Sequence, residues 1–319
     1  MKFKLALCAI AAAVGFTSSA LAQDDFPDRE IRIVVPWSPG GATDTMARMM
    51  IPLLEKQGVS AIVENLPGGG SAVGMGQVAT SAPDGYTIGL ASSSLLSLFA
   101  QDRLPFEHGA FADIVRFSQD PLMLLVRGDS EWQDLDSFIE HMRAKPGEVT
   151  IGVPGSKNVN HAMAGLTGQA AGVDFRHVSY PGGSRVIAEL VGGQINAGVL
   201  KPSDTFAMIE SGDLRPIGIF SNTRVEVLPD VETFPEAGYD VFKDGELAQI
   251  SYLTGPAGMS PEVRQKLIDI FQTALSDPSF QEFSKKNGFT SDGLPGKELQ
   301  AYNDALIQSL SVAAENIFE

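Results

Sequence analysis

The sequence predicts an α/β protein of two lobes, each a mostly parallel sheet flanked by helices. Three observations predict it. Short apolar runs of strand length alternate with amphipathic helical stretches over most of the chain. A chain of about 300 residues exceeds what one compact core ordinarily serves. Three times, a strand runs directly into a glycine turn that opens a helix, as happens at the carboxyl ends of strands in open parallel sheets.

The first segment stands apart from the fold. MKFK supplies a basic start, LALCAIAAAVGF an apolar stretch too short to span a bilayer, and Ala20-Leu21-Ala22 a small-residue cleavage signature, so residues 1–22 read as a signal peptide cut between Ala22 and Gln23. Cys8, the one cysteine, is preceded by Leu7 rather than by the small residue that lipid attachment needs, and it leaves with this segment. Removing 22 of 319 residues leaves 297, with no disulfide, thiolate nucleophile or sulfur-ligated metal open to them. Loss of Lys2 and Lys4 takes the formal charge from −16 to −18, which argues against nucleic acid and anionic lipid surfaces as partners. Small anions stay open, because a local ring of amide dipoles binds an anion inside a negatively charged protein.

Along the mature chain, EIRIVVP (30–36) reads as a buried strand. The helix that follows places Met46, Met49, Met50, Leu53 and Leu54 on one face, with Pro52 expected to kink or shorten it. SAIVEN (60–65), LPGGG (66–70), SAVGMGQVATSA (71–82) and GYTIGLA (85–91) read as strand, turn, small-residue helix and strand, completing β-α-β-α-β. VRFSQDPLMLLVRGD (115–129) is two extended runs broken at Asp120-Pro121, and LDSFIEHMRAKPG (135–147) is a helix stopped by Pro146-Gly147. The theme then repeats: strand 148–154, helix 160–171, strand 174–180, helix 181–193, strand 194–200, a helix near 203–211 and strand 214–221. LAQISYLTGPAG (247–258) is an apolar return strand, and the tail is helical, with Ser260-Pro261 as a capping signal.

The three strand-turn-helix devices are VVPWSPGGATD (34–44), IGVPGSKNVNH (151–161) and VSYPGGSRV (178–186). The first N–H groups of a helix lack internal partners, and the helix dipole adds partial positive charge there, so such a turn suits an anion. Each taken singly also reads as an ordinary tight connection. Enzyme motifs are missing: no serine sits in Gly-x-Ser-x-Gly, no Gly-Lys-Ser/Thr follows the glycines, and GMGQVA (74–79) lies within a helical run, where its glycines fit close packing. His108, His141, His161 and His177 share no ligand spacing, so no metal is expected, and no cofactor. His161, just after a glycine turn, fits both a capping role and ligand contact.

In order, FPDREIRIVVPWSPGGATDTMAR, VENLPGGGSAVGMGQVATSAPDGYTIG, GSKNVNHAMAG, SYPGGSRVIAELVGGQINAGV, SGDLRPIGIFS, VLPDVETFPEAGYDV and GPAGMSPEVRQKL resemble the extracytoplasmic solute-binding receptors of the tripartite tricarboxylate transporter family, the Bug-type proteins. The likeness covers nearly the whole mature chain. It implies a periplasmic binding protein of the Venus-flytrap, type II-like architecture. Lobe 1 would comprise residues 23–124 plus 251–319, and lobe 2 residues 125–250. Such a receptor closes on a small carboxylate and hands it to the large and small membrane permease subunits, working as a monomer.

By that resemblance the first carboxylate cradle is Trp37, Ser38, Gly41, Ala42, Thr43 and Asp44. The second is Gly155, Ser156, Asn160 and His161, with Tyr180, Gly182 and Gly183 closing the far wall. Asp44 repels an anion, so capping, holding a water, or accepting from a ligand hydroxyl or amine are its expected jobs. Trp37 replaces the phenylalanine usual in the family and would stack a flat ligand or wall the cleft. Asn196 stands where many members carry aspartate, and either favours a second carboxylate or caps a strand end. Two other functions share these residues: a periplasmic sensing component, and a hydrolase or transferase on a similar scaffold.

Overall fold

The computed structural model describes residues 26–318. The expected signal peptide lies outside them. The elements in chain order are β1 (Ile31–Val35), α1 (Ala42–Glu55), β2 (Ala61–Asn65), α2 (Ala72–Ala79), β3 (Thr87–Ser92), α3 (Ser93–Phe99), β4 (Phe111–Asp120) and β5 (Leu122–Arg127). Next come α4 (Leu135–Ala144), β6 (Thr150–Pro154), α5 (Val159–Ala171), β7 (Arg176–Tyr180), α6 (Gly183–Val191), β8 (Ala197–Leu200), α7 (Pro202–Glu210) and β9 (Leu214–Phe220). β10 (Gln249–Pro256), α8 (Pro261–Leu275), α9 (Pro278–Lys286) and α10 (Gly296–Ile317) complete the chain.

The strands form two five-stranded sheets, ordered β2-β1-β3-β10-β4 and β7-β6-β8-β5-β9. Each holds a parallel trio followed by two antiparallel pairings, so one strand per sheet, β10 or β5, runs against the other four. Within the trios β1, β3, β6 and β8 are the buried apolar runs that sequence periodicity picks out, while the edge strands β2 and β7 are largely half-buried or exposed.

The junction between the sheets positions everything else. β4 runs with β1 and β3 and ends at Asp120; Pro121, which has no N–H to continue a ladder, separates it from β5. Since β5 runs against β6, β7 and β8, the carboxyl edge of the first trio and that of the second abut the same junction. The return crossing, from β9 to β10 through residues 221–248, obeys the same geometry.

Three apolar clusters hold the layers. One packs α1, α8 and α9 against the first sheet through Met50, Leu54, Phe117, Phe271 and Phe280. Another packs α6 and neighbouring segments against the second through Met123, Val186, Leu190 and Leu200. The third crosses between the sheets, running from Val34, Met75 and Leu95 through Tyr252 to Leu124, Phe138, Ile151 and Met163, with Leu306 and Leu310 of α10 upon it. α10 contacts both α3 and α5, and so straddles the junction.

Three local features bear on the sequence reading. Pro52 does not end α1, which runs on to Glu55; only the last turn loses a bond there. α3 begins directly at the end of β3 with Ser92 as its cap, so no turn residue announces it. Gly74, inside GMGQVA, is indeed a packing glycine: a Cβ there would stand 2.8 Å from the Leu66 carbonyl oxygen and 3.0 Å from Pro36 Cβ.

Candidate functional site

The first turn is held open by its own acid. Gly40 adopts φ 82°, a conformation that glycine takes at low cost. Asp44, two per cent exposed, reaches back: Oδ2 accepts the Gly40 N–H at 2.8 Å, Oδ1 accepts Asn65 Nδ2 at 2.9 Å, and Arg48 Nε donates to it at 3.0 Å. The same Asn65 amide donates to the Trp37 carbonyl at 3.1 Å. The hydrogen bond from Arg48 leads the contacts that hold the Asp44 carboxyl down at about 2, against the opposing effect of burial. The first bond of the helix runs from Thr45 N–H to the Gly41 carbonyl, leaving the N–H groups of Ala42, Thr43 and Asp44 without an intrahelical acceptor. Ser38, Gly41 and Ala42 are exposed, while Trp37 and Thr43 are half-buried. Asp44 therefore shapes the cradle from behind, with its oxygens already engaged. Asn65 and Arg48, which sequence reasoning missed, share that task.

The second and third turns are bonded to one another. Gly155, at φ 77°, donates its N–H to the Tyr180 carbonyl at 2.7 Å. Asn158 caps α5, accepting from His161 N–H at 3.1 Å and donating to the Pro154 carbonyl at 2.9 Å; it too was missed. Asn160 is buried and donates to the Val199 carbonyl at 3.0 Å, tying the turn to β8. Ser156 is exposed, and Tyr180, Gly182 and Gly183 are half-buried at the start of α6. A Cβ on Gly183 would meet Leu200 and Asp204 at about 3.4–3.5 Å, which brings the third turn beside the start of α7.

For His161 and Asn196, each read in two ways from the sequence, the structure shows the bonds of the structural role. The His161 ring stacks on His177 with centroids 3.6 Å apart and planes at 7°, lies 5.0 Å from Phe318, and accepts the Lys157 N–H at 3.1 Å through Nδ1. Burial, then the neighbouring His177 and Lys157 charges, press its pKa down to about 4. His161 thus braces the second turn as a neutral acceptor, its ring spent on the fold. Asn196 Oδ1 accepts from Thr150 N–H at 2.8 Å and from Thr150 Oγ1 at 2.7 Å, at the amino ends of β6 and β8. The turns lie at the opposite ends of those strands, so Asn196 is a strand-end clamp remote from the cradles.

Sequence reasoning also passed over the turn after β8. Lys201, the N-cap residue of α7, extends its ammonium across the junction to 3.9 Å from Asp120 Oδ1. Asp120 is buried at the end of β4 and accepts from Ser118 Oγ at 2.7 Å. The signal was present as a fourth strand-to-helix turn, Leu200-Lys201-Pro202, but it lacks glycine. The two halves also touch directly: Ser97 Oγ of α3 and Gln101 Nε2, in the turn just beyond it, donate to the Lys157 carbonyl at 2.7 and 2.9 Å. A partly open cavity of about 290 Å³ lies between the two crossings and the end of α9, lined by Asp120, Pro121, Phe220, Leu247 and Phe289.

A family model described as "Tripartite tricarboxylate transporter family receptor" matches residues 46–308. The UPF0065 protein in the gbd 5' region of Cupriavidus necator is 30% identical over 283 residues, spanning 86% of this chain and 84% of that protein. The solved periplasmic binding protein BugD is 26% identical, with a TM-score of 0.76 over 91% of this chain and 98% of its own. Rpa4515 of R. palustris, solved with adipate, is 22% identical with a TM-score of 0.79 over 92% and 98%, a likeness of fold. Two mixed sheets flanked by helices are the fold these proteins share, and this chain belongs to the tripartite tricarboxylate transporter receptor family, the Bug-type periplasmic solute-binding proteins.

Proposed function

We propose that the protein captures a small carboxylate, a di- or tricarboxylate or an aromatic acid, between its two sheets and delivers it to the large and small membrane subunits of a tripartite tricarboxylate-type permease. Lobe 1 is taken as residues 23–124 plus 251–319 and lobe 2 as 125–250, exported after cleavage before Gln23 and acting as a monomer.

The observation that carries this reading is the exposure of helix-opening turns on both sides of one junction, at Gly41–Ala42 and at Ser156–Lys157. N–H donors and the helix dipole favour a carboxylate there without any reactive side chain. The adipate seen in Rpa4515 is a ligand of that class. Trp37, Ser38, Gly41, Ala42, Thr43, Gly155, Ser156, Tyr180, Gly182 and Gly183 form the walls in this reading. Asp44, Asn160 and His161 fix their shape. Asp44 and the Nδ1 of His161 are engaged with the fold rather than free to act as acid and base, which supports a receptor that returns its ligand unchanged.

A thermal-shift screen of carboxylates on residues 23–319 tests the proposal. A ligand at ~100 times its dissociation constant adds about 2.7 kcal/mol to stability. Stabilisation by sugars or cations alone would refute it, as would conversion of the bound acid, detected by mass spectrometry.

A further inference from the structure

Lys201 occupies a place that neither cradle explains. β8 is the middle strand of its sheet, lying between β6, whose turn carries Gly155, and β5, which enters from the junction. The residue after its carboxyl end therefore projects into the centre of the facing edges. There the side chain is 18% exposed, and its ammonium points at Asp120, which belongs to the other sheet. At 3.9 Å the Asp120 oxygen is beyond hydrogen-bond length, so this ion pair leaves the three ammonium donors uncommitted. Asp204, one turn along α7, stands exposed beside Gly183 of the third turn and, with Asp120, favours the charged form of the Lys201 ammonium. A cation held partly out of water, short of a bonded partner and at the middle of an anion-binding crevice, is poised for an anionic group arriving from solution.

We infer that Lys201 is a specificity-determining residue that binds a second acidic group on the ligand, so that the receptor selects dicarboxylates over monocarboxylates. This assignment rests on the carboxylate-receptor reading above. The backbone turns hold one carboxylate whatever the rest of the ligand carries. Lys201 then rewards a second one with a charge-assisted hydrogen bond, and a ligand lacking it leaves the Lys201 ammonium without a hydrogen-bonded acceptor, its nearest carboxylate oxygen 3.9 Å away on Asp120.

The test measures binding by calorimetry for straight-chain dicarboxylates from malonate to adipate and phthalate, each beside its monocarboxylate, from propionate to hexanoate and benzoate. The wild-type protein should favour the dicarboxylate, and Lys201→Gln should lower that affinity about 10- to 100-fold while leaving monocarboxylate binding unchanged. Lys201→Arg should restore the preference, and Lys201→Gln/Asp120→Asn should reproduce the loss without a lone buried acid, which separates recognition from misfolding. Equal weakening of both ligand types, unchanged dicarboxylate affinity in Lys201→Gln, or a wild-type protein that binds only monocarboxylates would overturn the assignment and leave the carboxylate reading standing. A wild-type protein that binds no carboxylate would overturn both.

Discussion

Asp44 and His161 sit at comparable points, each near the start of a helix that follows a turn, and the protein uses them in opposite charge states. Asp44 is kept ionised by Arg48, Gly40 and Asn65, and would lose that role only as pH falls from the ordinary aspartate range through about 2. His161 is kept neutral. An unfolded histidine takes its proton near pH 6.5, whereas folded His161 takes it only near 4. The unfolded chain therefore binds more protons across that interval, so stability present above about 6.5 is lost as pH falls toward 4. Calorimetry of the unliganded protein should show its melting temperature falling over this range, with His161→Asn flattening the slope. Parallel slopes in the two proteins would remove His161 as the source. Lys201 completes the set as a charge whose partner lies on the other sheet, a relation invisible in a linear sequence.

Among elements, α2 shows how a helix far from the ligand sets the cradle. Gly74 lets it lie against Pro36, the residue at which β1 gives way to the first turn. Gly74→Ala should destabilise the protein by about 1–3 kcal/mol through overpacking and should weaken carboxylate binding as Pro36 shifts; an unchanged melting temperature and affinity would show that the contact yields freely. Most elements were legible because strand runs such as IRIVV and the apolar face of α1 carry strong periodicity, and the break at Asp120-Pro121 marked where β4 gives way to β5. The turns that follow β1, β6 and β7 were legible as glycine-bearing segments. What stayed hidden depends on direction in space: α3 follows β3 with no intervening turn, His161 looks like a ligand contact until its ring is seen against His177, and Asn196 lies at the wrong end of its strand. Glycine spacing marks where a backbone bends. It does not say which way the side chain beside it points.

For the molecule as a whole, the contact between halves is uneven. Ser97 and Gln101 of one half grip the Lys157 carbonyl of the other, and Lys157 N–H is in turn held by His161. This couples the shape of the second cradle to the approach of the halves. Ser97→Ala combined with Gln101→Ala should enlarge the radius of gyration of the unliganded protein in small-angle X-ray scattering and weaken carboxylate binding several-fold. Identical scattering curves and affinities would mean that the contact is incidental. The seam of shared apolar side chains beneath α10 has its own consequence. Water and solute cannot travel through packed hydrocarbon, so under the proposed receptor function the side that α10 covers is closed to a solute, and any cargo must come and go where the helix does not reach.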